Sequence, residues 1–300
     1  MLVDSRMFRG EGFVYNAGMS TASVEDYVAV WQSLKDQAKI PERVILFIDP
    51  WVLNRASGYL AWMTNSDFVE RFRKSEGEGG WGPVTEIVKV GNDLAELFAW
   101  QTLKSSLKHV SARIRRPESV KKKEPWRLQA KAEVSMERSA WNLDGSRIYP
   151  RIDMRPKASA TFRNGLEPDN FYSRELGNWA FSDDAYRLLS LLVADMRKSG
   201  ARVLVVVPPF TPEWTSKVAK QRLYPAFKSE FFGALSRLSG QGLADEVCDA
   251  WESESFGCSR EGFMDFMHLL RPCSQKLLEH CLAKQEGWKT LLSPEKAGWL

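Results

Sequence analysis

Apolar positions near the start of the chain fall into two rhythms. Val24, Tyr27, Val28, Trp31 and Leu34 recur three and four apart, a spacing that predicts an amphipathic helix. Ser23 with Asp26 three residues on supplies a capping-box pattern at its start. Past Pro41 the pattern changes to the unbroken run Val44-Ile45-Leu46-Phe47-Ile48. A continuous run, unlike alternation, fits a strand covered on both faces, as in a parallel sheet. Ahead of the helix, Phe13-Val14-Tyr15 predicts a short strand ending at Asn16-Ala17-Gly18, and Leu2-Val3-Asp4 predicts a strand end just before Ser5.

The same unit returns in the second half. Ser182 is placed to cap a helix whose first turn holds Asp183 and Asp184, where the helix dipole favours them. Phe181, Ala185, Leu188, Leu189, Leu192, Val193 and Met196 form its apolar face, and Gly200 closes it. Val203 to Val207 is then a strand stopped by Pro208-Pro209. A further helix (Leu223, Phe227, Phe231, Leu235, Leu238) ends near Gly240, Ala244 to Cys248 predicts a last strand, and Leu277, Leu278 and Cys281 mark a helix that Pro272 opens. Strands alternating with helices predict an α/β protein built on a parallel sheet with helices on both faces.

Residues 56 to 178 break this rhythm. They hold a glycine-rich break (Gly77, Gly79, Gly80, Gly82), a long helical stretch from about Val84 to Val110, a basic segment and a polar region. We read 1–300 as a single α/β domain with 56–178 inserted into it. No internal repeat is visible.

Composition narrows the class without naming it. At 44% hydrophobic and 27% charged, a chain of 300 residues can bury a sizeable core, which excludes a disordered chain or a disulfide-stapled miniprotein. The longest apolar runs fall far short of the roughly 20 residues that a membrane helix needs, and Met1-Leu2-Val3 runs into Asp4-Ser5-Arg6 without a secretory signal. The net charge of +4 conceals a segment, Lys104 to Lys131, with ten basic residues against Glu118 and Glu124. It is either a solvated connector, as most such charge runs are, or a contact surface for an anion such as phospholipid headgroups or an acidic polysaccharide. Nucleic acid is disfavoured, because only Trp126 interrupts the charges as a stacking platform.

Cys248, Cys258, Cys273 and Cys281 all lie in the last fifth of the chain and form no CxxC pair. Zinc sites normally show two paired ligand clusters, so no metal is expected, nor any other cofactor. An even count permits disulfides, but a chain this long does not need them. Free buried or half-buried thiols are the expectation, and the redox compartment is left open.

Only three histidines exist: His109, His268 and His280. His109 adjoins the basic segment, and His280 falls on the last helix as a surface or core residue. His268 differs, because Asp265-Phe266-Met267-His268 places a carboxylate one backbone turn before an imidazole, where it can hold the ring and fix its tautomer. A serine nucleophile belongs at the carboxyl end of a parallel strand, and Ser5 has that place. Gly18, after the next strand, can bring its backbone N–H close to an oxyanion.

This order of Ser, Gly and Asp-x-x-His resembles the SGNH/GDSL hydrolase superfamily, and more closely its bacterial branch with a Gly-Ser-Ser-Arg nucleophile motif, related to O-acyl transfer on cell-envelope polymers. Asp4-Ser5-Arg6 is similar to the end of that motif, Tyr15 to Ser20 to an Asn-x-Gly-x-Ser block, Ile45 to Trp51 to the third strand with Asp-Pro-Trp, and Phe263 to Leu269 to the Asp-x-x-His block. Asp144 to Tyr149 also resembles a segment of such relatives. Val3 and Asp4 stand where the motif has Gly-Ser, and a Gly-x-Asn-Asp block is missing, with Asp49 in its region and Asn54 out of register.

The resemblance implies a flavodoxin-like three-layer α/β/α sandwich and a serine esterase or O-acyltransferase acting on ester-linked acyl groups of an envelope polysaccharide. Ser5, His268 and Asp265 would form the triad. The N–H groups of Ser5 and Gly18, helped by Asn16, would form the oxyanion hole. The alternative is a catalytically inactive protein of that fold that binds carbohydrate or serves assembly, with the twelve tryptophans as candidate contact surface or as plain core. Only Met1 to Asp4 precede Ser5, short of the usual five or six strand residues. An upstream segment with more apolar strand residues, following an anchor helix as in such relatives, is therefore expected, and with it a periplasmic or exterior location.

Overall fold

The computed structural model describes residues 16–17, 22–57, 140–141, 147–148, 176–263, 266–283, 285 and 288. The strands expected at 2–4 and 13–15, the helical stretch 84–110 and the basic segment 104–131 lie outside them, as does nearly all of the 56–178 region.

Helix α1 spans Val24–Asp36 and begins as its sequence implies: the Asp26 carboxylate accepts the Ser23 N–H at 2.8 Å, completing the capping box. Its inner face is Val24, Val28, Ala29 and Trp31. The Trp31 indole N–H donates to Asp195 at 2.8 Å, and Lys35 pairs with the same carboxylate at 2.9 Å, tying α1 to α2 (Asp183–Lys198). Helix α2 is capped by the Ser182 hydroxyl, which accepts the Ala185 N–H at 3.2 Å. Gly200, at a φ of +92°, makes the left-handed turn that lets the Ala201 N–H reach back to the Met196 carbonyl.

The strands are β1 (Arg43–Phe47), a short antiparallel pair β2 (Ala140–Trp141) and β3 (Arg147–Ile148), then β4 (Arg202–Val207) and β5 (Glu246–Asp249). The main sheet is parallel in the order β1-β4-β5, with Leu46 opposite Val205 and Val205 opposite Val247. Its centre is therefore the most apolar run of the chain. Leu204 and Val206 pack against α5 (Arg271–Leu282), while alternation sends Val203, Val205 and Val207 to the other face. All five are buried, as expected of a parallel strand covered on both sides, and each such side chain contributes roughly 1.5–3 kcal/mol. The general α/β expectation holds: a small parallel sheet with helices.

Between β4 and β5 lie α3 (Pro212–Val218), too short to show a period in the sequence, and α4 (Tyr224–Gly240). Phe227, Phe231, Leu235 and Leu238 bury the inner face of α4 as expected from their spacing. Among the described residues no helix is long and apolar enough to cross a membrane.

The cysteines correct one expectation. Instead of free thiols, Cys248 of β5 bonds Cys281 of α5, and Cys258 bonds Cys273. The reason is positional: α5 lies on the face of the sheet that Cys248 also faces, and all four residues belong to one buried cluster with Leu204, Val206, Phe263, Leu277 and Leu278.

Candidate functional site

Parallel strands that start together also end together, and open α/β sheets hold ligands in the crevice beyond their carboxyl ends. Three segments leave that edge. Ile48 donates its N–H to the Val206 carbonyl at 2.9 Å, so Asp49 follows directly beyond β1. Pro208 to Thr211 continue from β4, and Ala250 to Ser253 from β5, still aligned through a parallel bridge between Phe210 and Glu252.

The stretch that carries His268 comes to this edge. Phe263 and Leu269 form an antiparallel bridge, and the Leu270 N–H donates to the Gly262 carbonyl at 2.8 Å. At the top of this narrow loop the Phe266 carbonyl accepts the Thr211 N–H at 3.0 Å, which docks the loop on the end of β4. Phe266 also stacks near-parallel on Phe210 and Trp214, with centroids 6.4 and 6.1 Å apart. Phe210 and Trp214 themselves stack at 4.1 Å. His268, two residues beyond this anchor, is half-buried.

Of the other expected site residues, Asn16 is described and half-buried, whereas Ser5, Gly18 and Asp265 lie outside the described residues. His280 sits on α5 with its ring 5.9 Å from that of Phe256. His109 lies outside the described residues.

Two polar residues beyond β1 have distinct fates. Asp49 is half-buried at the sheet edge, and burial pushes its carboxyl up to about 7. Nearby on α1 the Tyr27 hydroxyl donates to the Phe47 carbonyl at 3.0 Å, and burial, then the charges of Asp49 and Asp26, push that phenol up. The apolar run ending in Asp-Pro-Trp was the sequence signal for a carboxylate here. Asn54 is buried and structural: its side-chain oxygen accepts the N–H groups of Ala56 and Ala180, both at 3.1 Å. With Arg55 N–H on the Ala180 carbonyl and Ser182 N–H on the Leu53 carbonyl, it joins the segment after β1 to the entry of α2.

Fold and edge together define a class at a general level, an α/β protein with a small parallel sheet and loops gathered at its carboxyl end. Comparison with protein-family models finds none that matches the chain, and comparisons with curated proteins and with solved structures find no match either. Among the described residues no group of three or more His, Cys, Asp or Glu is arranged to hold a metal ion.

Proposed function

We propose that the protein is a serine esterase or O-acyltransferase of the SGNH/GDSL kind, on a flavodoxin-like three-layer α/β/α fold, acting on ester-linked acyl groups of a cell-envelope polysaccharide. The observation that carries the proposal is the docking of the His268 loop on the carboxyl end of the central strand, through Thr211 N–H and the Phe266 carbonyl. That is where this fold class does its chemistry.

In this assignment Ser5 Oγ attacks the ester carbonyl while His268 takes its proton, and Asp265 stabilises the imidazolium. The N–H groups of Ser5 and Gly18, with the Asn16 side chain, receive the oxyanion. The tetrahedral adduct collapses, the alcohol leaves with the proton from His268, and the acyl group stays on Ser5. Water or a sugar hydroxyl then attacks the acyl-enzyme with His268 as base. Hydrolysis and transfer share these residues and differ only in the acceptor. Contact of the 104–131 segment with an anionic surface belongs to the same proposal, and its signature is binding that weakens steeply with salt and with neutralisation of Lys121, Lys122 and Lys123.

A non-catalytic, carbohydrate-binding protein of the same fold would need exposed aromatic surface. The tryptophans whose side chains are described (Trp31, Trp51, Trp179, Trp214, Trp251 and Trp288) are all buried.

The test is labelling with a fluorophosphonate probe alongside turnover of a small activated acetyl ester. Wild type should label and turn over. Ser5→Ala should not label, and His268→Ala should lose turnover by about 10⁴-fold or more. His280→Ala should stay near wild type. A folded wild type that neither labels nor turns over the ester would move the assignment to the binding protein.

A further inference from the structure

The two disulfides hold different things. Cys248–Cys281 joins a sheet strand to α5, two elements already packed through Leu204, Val206, Leu277 and Leu278. Cys258–Cys273 instead spans a separation of 15 residues and encloses the whole loop that carries His268. Within it, the bridge between Phe263 and Leu269 and the hydrogen bond from Leu270 to Gly262 draw the two arms of the loop together at its base.

The packing at the base of that loop is built around the sulfur. Cys258 and Cys273 are 1% and 5% exposed, and Phe263 and Leu269 are each 1% exposed. Gly262 is in contact with Cys273 so closely that a Cβ at position 262 would overlap the Cys273 sulfur. The glycine is thus required by the disulfide rather than by its own backbone angles. Beyond the base, Phe266 also docks the loop, by the Thr211 hydrogen bond and the stack on Phe210 and Trp214.

We propose that the Cys258–Cys273 bond is a positioning staple for His268: it closes the loop that sets this histidine at the carboxyl end of β4, so the histidine site is complete only in the oxidised chain. The significance for catalysis rests on the esterase assignment above, whereas the positioning itself does not. Formation of the bond takes two electrons and two protons from the pair of thiols. An external disulfide supplies the oxidant and leaves as two thiols, by exchange through a mixed disulfide. A dithiol reductant runs the same exchange backwards. Cys273 and Cys258 act here through His268 and touch no substrate.

Hydrogen exchange on the full chain, read by mass spectrometry, tests this directly, because two amides report the loop: Leu270 at its base and Thr211 at its docking point. In Cys258→Ala/Cys273→Ala, protection at both should fall at least tenfold, while amides of β4 keep theirs. In Cys248→Ala/Cys281→Ala, protection at Leu270 and Thr211 should fall no further than that of the β4 amides. Should the first variant fail to fold, Phe266→Ala leaves both disulfides in place and should loosen Thr211 while Leu270 stays protected. Wild-type protection at Leu270 and Thr211 without the Cys258–Cys273 bond would overturn the staple, as would loss of protection at Leu270 in Phe266→Ala, where the bond is intact. Fluorophosphonate labelling of the same samples separates the two proposals. A loop that loosens together with a tenfold slower labelling of Ser5 supports both. A loop that loosens while labelling is unchanged supports the staple and removes His268 from the active site.

Discussion

Asp26 offers a test in which sign and size both follow from the structure. It is 2% exposed, yet it sits at the third position of α1 and accepts hydrogen bonds from Ser23 N–H and Oγ at 2.8 and 3.3 Å. Burial outweighs those bonds and pushes its carboxyl from 3.8 up to about 6. The folded chain therefore holds this proton more tightly than the unfolded one. Its contribution to stability is complete below about pH 4 and is lost as the pH rises through about 6. At 1.36 kcal/mol per pH unit the loss is roughly 3 kcal/mol. Asp26→Asn keeps an oxygen that accepts the Ser23 N–H and carries no charge. The variant should match wild type below about pH 4 and exceed it by roughly 3 kcal/mol at pH 8, with the difference opening between pH 4 and 6. Asp49, pushed up to about 7, produces a loss of the same sign at higher pH that cancels between the two proteins. Urea unfolding at several pH values, with disulfides intact, measures the difference. A difference that is flat with pH, or a wild type more stable at pH 8, would refute the reasoning.

Asn54→Ala removes the acceptor for the Ala56 and Ala180 N–H groups, of which Ala180 is half-buried, and should cost about 1–3 kcal/mol in the same unfolding assay. Cys248→Ala/Cys281→Ala opens a closed loop of separation 33, and the chain-entropy relation gives about 3.7 kcal/mol for its loss. A fall of less than about 1 kcal/mol in the midpoint-derived stability would show that α5 is held by packing alone.

The parts of the fold that were legible in the sequence are those where local pattern and tertiary packing ask for the same thing. The apolar run 203–207 became the central strand, and a strand covered on both faces leaves no polar position to misread. Helices α1, α2 and α4 followed from three-and-four spacing, and the Ser23 and Ser182 caps from hydroxyls placed before acidic first turns. Helix α3 was passed over because its seven residues are too few to display a period. The disulfides were missed for a different reason. Pairing depends on which Cα atoms come within about 6 Å in space, and that is decided by the docking of α5 on the sheet, which no spacing along the chain encodes.

The candidate site divides in the same way. The Asp-x-x-His pattern can be read from the sequence alone because its two members are three residues apart, and of the two His268 is among the described residues. What brings His268 to the sheet edge is non-local: an amide at position 211 meeting a carbonyl at 266, with Phe266 stacked on Phe210 and Trp214. Phe210 reads in the sequence as one more apolar residue after a pair of prolines, and Gly262 as an ordinary turn glycine. Each acquires its meaning from a partner more than ten residues away, Phe266 for one and Cys273 for the other. Long-range contacts of this kind carry a loop-closure entropy that no spacing along the chain reveals. The position of His268 is thus a property of the finished fold, and the disulfide that encloses it is the covalent part of that property.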